Sequence, residues 1–209
     1  QPVVAAKTSR WQMFLKSDIF WSYRHSPVTI IASIVALLLI LMAVFAPWLA
    51  PYNPFNPATL SLMDGFTPPN STSMAGKYFA LGTDSQGRDM LSTIMYGSRV
   101  SLFVGFMATL FAMVMGVGLG LVSGYVGGAV DAIIMRITDV QLSFPAILIA
   151  LLIFGVARGI IPPNQQEGAA VWVLIVAIGL ANWAQFARTV RGATMVERQK
   201  DYVAAARID

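Results

Sequence analysis

The chain has 209 residues, 56% of them hydrophobic and 11% charged, with a mean hydropathy of +0.67. Soluble domains carry about 25% charged residues, so this composition excludes a soluble globular protein and points to an all-α integral membrane protein. Cysteine is absent, which excludes a disulfide framework, a thiol nucleophile and a thiolate metal site; the net charge of +4 is too small to argue for nucleic acid.

Residues 1–27 form a polar tail in which Lys7, Arg10, Lys16 and Arg24 alternate with Trp11, Phe14, Phe20, Trp21 and Tyr23. Basic and aromatic residues beside a span suit the headgroup layer, so this tail is expected to be interfacial, in contact with lipid. The single histidine, His25, is read as interfacial rather than as a ligand. Residues 28–48 are uncharged and long enough to cross the roughly 30 Å hydrocarbon core. They are too long for a signal-peptide core and are read as the first span.

Residues 49–99 change character. Six of the chain's 11 prolines fall between Pro47 and Pro69, and a proline-rich run cannot continue a helix. This is read as a loop outside the bilayer, with Gly82 and Gly87 marking a turn around Asp84. Met90, Leu91, Ile94 and Met95 then have the spacing of a short amphipathic helix, with Asp89 near its start.

The second span is placed at 100–123. Gly116, Gly120 and Gly124 recur every four residues, which stacks them on one face for helix packing. Residues 124–130 read as a glycine-rich turn. The third span, 131–157, contains Arg136 and Asp139 three residues apart, predicted to form an ion pair. Pro145 is expected to kink this span. Residues 158–168 form a short loop, and 169–187 a fourth span with Trp172 and Trp183 near its ends. Residues 188–209 are charged and end in the small run Ala204-Ala205-Ala206.

Orientation follows from the basic residues. With the N-terminus inside, the internal segments hold ten (Lys7, Arg10, Lys16, Arg24, Arg136, Arg188, Arg191, Arg198, Lys200, Arg207). The external ones hold four (Lys77, Arg88, Arg99, Arg158). The excess places the N-terminus and residues 188–209 in the cytoplasm.

No sequence constellation supports catalysis. GTDSQGRD lacks the lysine of a phosphate-binding loop, and HExxH, GxSxG and EF-hand patterns are absent. Catalytic and metal-ligating residues are therefore assigned as none, and the work of such a chain is transport, gating or anchoring.

Three separated runs, LGTDSQGRDMLSTIMYGSRVSL, GYVGGAVDAIIMRITDVQLSFP and ARTVRGATMVERQKDYVAAAR, occur in that order. Together they resemble the inner-membrane permease subunits of bacterial ABC importers, in particular the second permease of the dipeptide/oligopeptide/nickel group. The resemblance covers about residues 20–209. It implies a type I importer permease bundle with about six spans when complete, four of them visible here. The chain breaks off in mid-pattern and is expected to be a piece of a longer protein.

The resemblance also implies function and partners. The loop 49–99 would be periplasmic, the permease would import di- or oligopeptides, and a periplasmic substrate-binding protein would deliver them. A second permease and two cytoplasmic ATP-binding subunits would complete the complex. ATP and magnesium would be bound by those subunits, with no cofactor in this chain. Residues 188–209 would begin the cytoplasmic coupling loop that docks on an ATPase. Asp201, Tyr202, Val203, Ala204, Ala205, Ala206 and Arg207 fall on the family's E-Y-V-E-A-A-R, with Ala204 in place of the usual glutamate. Position in the spans suggests Phe144, Pro145 and Asn182 for the translocation path. An ATPase-independent channel or a membrane anchor is the competing reading.

Overall fold

The computed structural model describes residues 18–56, 60–73 and 75–200, and the chain divides into two units after Val100. The candidate coupling residues 201–207 lie outside the described residues.

In the first unit, helix α1 (Asp18–His25) is followed at Ser26 by helix α2 (Pro27–Val44). Ser26 is extended and its Oγ accepts from the Thr29 amide, while Pro27 occupies a position that needs no amide donor. The 18 residues of α2 have a mean hydropathy of 2.8, and only Ala43 among them is buried. An apolar helix exposed on nearly all sides is what a lipid solvent permits. It ends before the sequence-predicted residue 48, because Pro47 starts a separate turn of helix, α3 (Ala46–Leu49).

The proline-rich segment folds around hydrogen bonds rather than a large core. After a 3-10 turn at Leu62–Asp64, strands β1 (Ser71–Thr72) and β2 (Tyr78–Phe79) pair antiparallel. The Asp64 carbonyl accepts from Thr67 Oγ1 at 2.7 Å and Thr83 Oγ1 at 2.5 Å. Gly82 has φ +78°, and a Cβ there would lie 2.5 Å from the Thr67 carbonyl oxygen, so this crossing admits only glycine. The Asp84 carboxylate closes the next turn, accepting from the amides of Gln86 and Arg88 and from Arg88 Nε at 2.7 Å. Burial pushes the Asp84 carboxyl up, but the bonds from Arg88 and Gln86 outweigh it and hold the group below its ordinary range. Asp89 then starts the next helix, its Oδ2 accepting from the Ser92 amide and hydroxyl.

That helix, α4 (Met90–Val126), runs 37 residues without interruption. The sequence reading divides it into an amphipathic helix and a span at 100–123. The residues around Gly97 and Arg99 carry no helix-stopping signal beyond one glycine, and the backbone bonds continue through them.

In the second unit, α4 is followed by α5 (Gly128–Leu142), α6 (Ala146–Ile160) and α7 (Pro163–Arg198). The predicted turn over 124–130 contracts to one residue, Gly127, whose φ of 71° and ψ of −159° few other residues adopt. The predicted kinked span over 131–157 is two helices, α5 and α6, meeting at 94°. Pro145 lacks an amide donor, and the residue before a proline disfavours helix, so the ladder stops at Ser143 and Phe144. Helix α7 extends past both predicted limits of 169 and 187, because its charged end packs against α5.

Among the described residues, three helices (α2, α4 and α7) are long and apolar enough to cross a membrane, and α5 with α6 counts as a fourth if the bent pair is one span. The protein is a polytopic α-helical membrane protein.

Candidate functional site

The second unit is assembled on small residues. Gly116, Gly120 and Gly124 face α7, and a Cβ on them would sit 2.5 Å from Phe186 Cβ, 2.6 Å from the Ala187 carbonyl oxygen and 2.7 Å from Thr194 Cβ, respectively. Real Cβ atoms do not approach so closely, so these glycines let the α4 and α7 backbones touch. Ala112, Trp183, Ala184 and Ala187 form the buried cluster beside them, with Leu119 and Phe186 packed on it. Gly118, on the other face of α4, has nothing near it.

This close packing brings the polar ends of three helices together. Asp131, in the first turn of α5, accepts from Ser123 Oγ of α4 at 2.5 Å and from Arg191 Nη2 of α7 at 2.6 Å; Arg191 Nε also donates to it. The two parallel N–H donors make a bidentate pair, which fixes direction as well as distance. Ser123 is fully buried, so its hydroxyl has no water to bond and Asp131 is the acceptor it finds.

One helical turn back along α7, Arg188 reaches Asp139 at 2.5 Å. Asp131 and Asp139 are about 12 Å apart along α5 at 1.5 Å per residue. Arg188 and Arg191 are about 4.5 Å apart along α7. The two pairs therefore converge, and they bind α5 to α7 at two heights.

The predicted pair between Arg136 and Asp139 is not what the structure holds. Asp139 pairs with Arg188, and Arg136 is exposed with no ion pair among the described residues. A cation preceding an acid along a helix is the weaker order for an intrahelical pair, and α7 offers a better-placed guanidinium.

Other polar groups stitch the same helices. Gln141 Nε2 donates to the Leu180 carbonyl across the α5–α7 contact at 2.6 Å. The Asn182 amide donates to the Ile178 carbonyl of its own helix, so it is partly satisfied and half-buried rather than open. Phe144 and Pro145 are both exposed, at the break between α5 and α6. The structure does not bring Asn182 together with them through any hydrogen bond or ring contact.

Ser123, Asp131 and Arg191 are not singled out from the sequence. Their signal is chemical: two acids on one apolar helix and two arginines on another each need a partner at a membrane rim. Beyond the pair lies a groove of about 290 Å³, lined by Ser123, Gly127, Asp131, Met195, Arg198 and Gln199. Arg198 Nη1 lies 3.3 Å from where a Cβ of Gly127 would be, so the last turn of α7 is laid over the α4–α5 break. This arrangement joins three helix ends through a buried hydroxyl and two ion pairs. It can hold the end of α7, the helix that leads into residues 201–207, at a fixed angle to two others.

Residues 116–209 match the family described as binding-protein-dependent transport system inner membrane component, and residues 9–69 match the N-terminal TM domain of oligopeptide transport permease C. The chain is 33% identical over 190 residues to the dipeptide transport system permease protein DppC of Haemophilus influenzae, covering 90% of this chain and 60% of that protein. It is 35% identical over 213 residues to the glutathione transport system permease protein GsiD of Pectobacterium atrosepticum, covering 99% and 62%. To the oligopeptide transport system permease protein OppC of Bacillus subtilis it is 30% identical over 202 residues, covering 97% and 60%. The chain thus spans about 60% of the length of the curated relatives it matches. Residues 116–209 thus carry a domain of the family of binding-protein-dependent transport system inner membrane components, and over most of its length the chain is similar to dipeptide, oligopeptide and glutathione transport permeases.

Proposed function

We infer that the chain is part of a permease subunit of an ATP-driven, binding-protein-dependent importer of di- or oligopeptides in a bacterial inner membrane. The observation that carries this reading is the match of residues 116–209 to the transport family, over the same helices that the Asp131–Arg191 and Asp139–Arg188 pairs tie together. The names of the relatives support peptides or glutathione as cargo. In this reading the N-terminus is cytoplasmic, the 49–99 loop is periplasmic, and Asp201 to Arg207 dock on an ATP-binding subunit. A second permease completes the translocation path, and a substrate-binding protein supplies it. ATP and magnesium belong to the partner subunits.

The test is uptake of a labelled dipeptide into proteoliposomes holding the full-length chain, its co-encoded second permease and ATPases, with the binding protein supplied outside. Uptake is expected only with ATP inside the compartment that holds the ATPases. Uptake that persists when the ATPases lack their phosphate-loop lysine supports an independent channel instead.

A further inference from the structure

The α6–α7 hairpin ends in a cleft of about 350 Å³, distinct from the ion-paired end of α7. Its walls are mixed: Phe154 and Ile161 from the α6 side and Val173 from α7 supply the apolar part, and Arg158, Gln166 and Glu167 the polar part, with Arg158 and Glu167 exposed. Two opposite charges line it, Arg158 in the last turn of α6 and Glu167 near the start of α7. They do not neutralise each other: among the described residues neither takes part in an ion pair. The Arg158 guanidinium lies instead over the Phe154 ring, its Cζ 5.7 Å from the ring centre. Gln166 fixes the frame, its Nε2 donating to the carbonyls of Arg158 and Ile161, each at 3.0 Å. These are carbonyls that the end of α6 would otherwise leave without a partner.

A cleft with an apolar wall, one cation and one anion, neither in an ion pair, is complementary to a small solute that carries both charges and an apolar body. Its volume falls at the lower end of small-molecule sites, about 300–1,000 Å³. A guanidinium takes a carboxylate through two parallel N–H bonds, and a carboxylate accepts from an ammonium. We propose that this cleft is a subsite for short zwitterionic peptides, in which Arg158 takes the α-carboxylate, Glu167 takes the α-ammonium and the walls take an apolar side chain. This rests on the importer reading above, in whose orientation the α6–α7 loop is external and meets incoming solute.

The reconstituted full-length complex tests it with three solutes: alanyl-phenylalanine, its C-terminal amide and its N-acetyl form. Uptake by each variant is divided by uptake by the wild type, so the binding protein's own preference cancels. Arg158→Gln is expected to lower dipeptide uptake about tenfold and uptake of the amide less than about twofold. Glu167→Gln is expected to lower dipeptide uptake about tenfold and uptake of the N-acetyl form less than about twofold. Equal losses for free and blocked peptides, or no loss, overturn the assignment. If Arg158→Gln does not reach the membrane, Arg158→Lys gives the same split with a smaller loss. Inhibition of dipeptide uptake by free phenylalanine as strong as by a second dipeptide overturns the peptide assignment in favour of amino acids. A wild type that takes up no dipeptide refutes the importer reading itself. A wild type that does, with ratios that do not split, refutes only this cleft.

Discussion

Asp131 shares its carboxylate between a buried hydroxyl on α4 and a guanidinium on α7, so its loss unties three helices at once. Asp131→Asn is expected to weaken the bundle by about 2 kcal/mol, since removing one partner leaves a partly buried arginine uncompensated. Arg191→Lys keeps the charge but not the fork, and should recover only part of that loss. Both are read from thermal unfolding in detergent. Asp139→Ala is expected to cost under about 1 kcal/mol, because both members of that pair are more than half exposed. A second prediction concerns the turn around Asp84. The Asp84 carboxyl titrates below its ordinary value, so its bonds contribute stability that is present above pH 4 or so and is lost as pH falls through the lowered value. Amide exchange of residues 82–89, corrected for intrinsic rates, should therefore speed up in the wild type as pH falls below the ordinary carboxylate range. In Asp84→Asn it should be fast throughout.

At the scale of elements, the glycine stripe of α4 decides how near α7 can come. Gly120→Leu is expected to cost about 2 kcal/mol or more, because a side chain there meets the Ala187 backbone rather than a flexible tip. Gly118→Ala, on the open face, should stay within about 0.5 kcal/mol. Unfolding midpoints of the two variants measured side by side separate packing from helix propensity. The stripe is legible in the sequence because its period is that of a helix, and so are the apolar centres of α2, α4 and α7. The ends of those helices are less so. Hydropathy stops at Ala187, but the helix continues to Arg198, since Arg188 and Arg191 find acids on α5 instead of water. Likewise Pro145 announces a bend, but its 94° angle depends on what α6 packs against, which no local residue encodes.

For the whole molecule, the family is legible in motif order and the ion-pair geometry is not. Asp131 and Arg191 lie 60 residues apart, and the α5–α7 packing brings them together. Arg136 is nearer to Asp139 in sequence and loses to Arg188 across the helix contact. In the proposed importer the residues that follow α7, Asp201 to Arg207, dock on an ATP-binding subunit and couple it to transport. This claim is tested most directly by ATP hydrolysis and dipeptide uptake measured together in the reconstituted full-length complex carrying Ala205→Asp. A bulky charge in the small-residue run should block docking. Uptake is predicted to fall at least about tenfold, with the protein still in the membrane and still bound to its second permease. Normal, ATP-dependent uptake by that variant would contradict the claim.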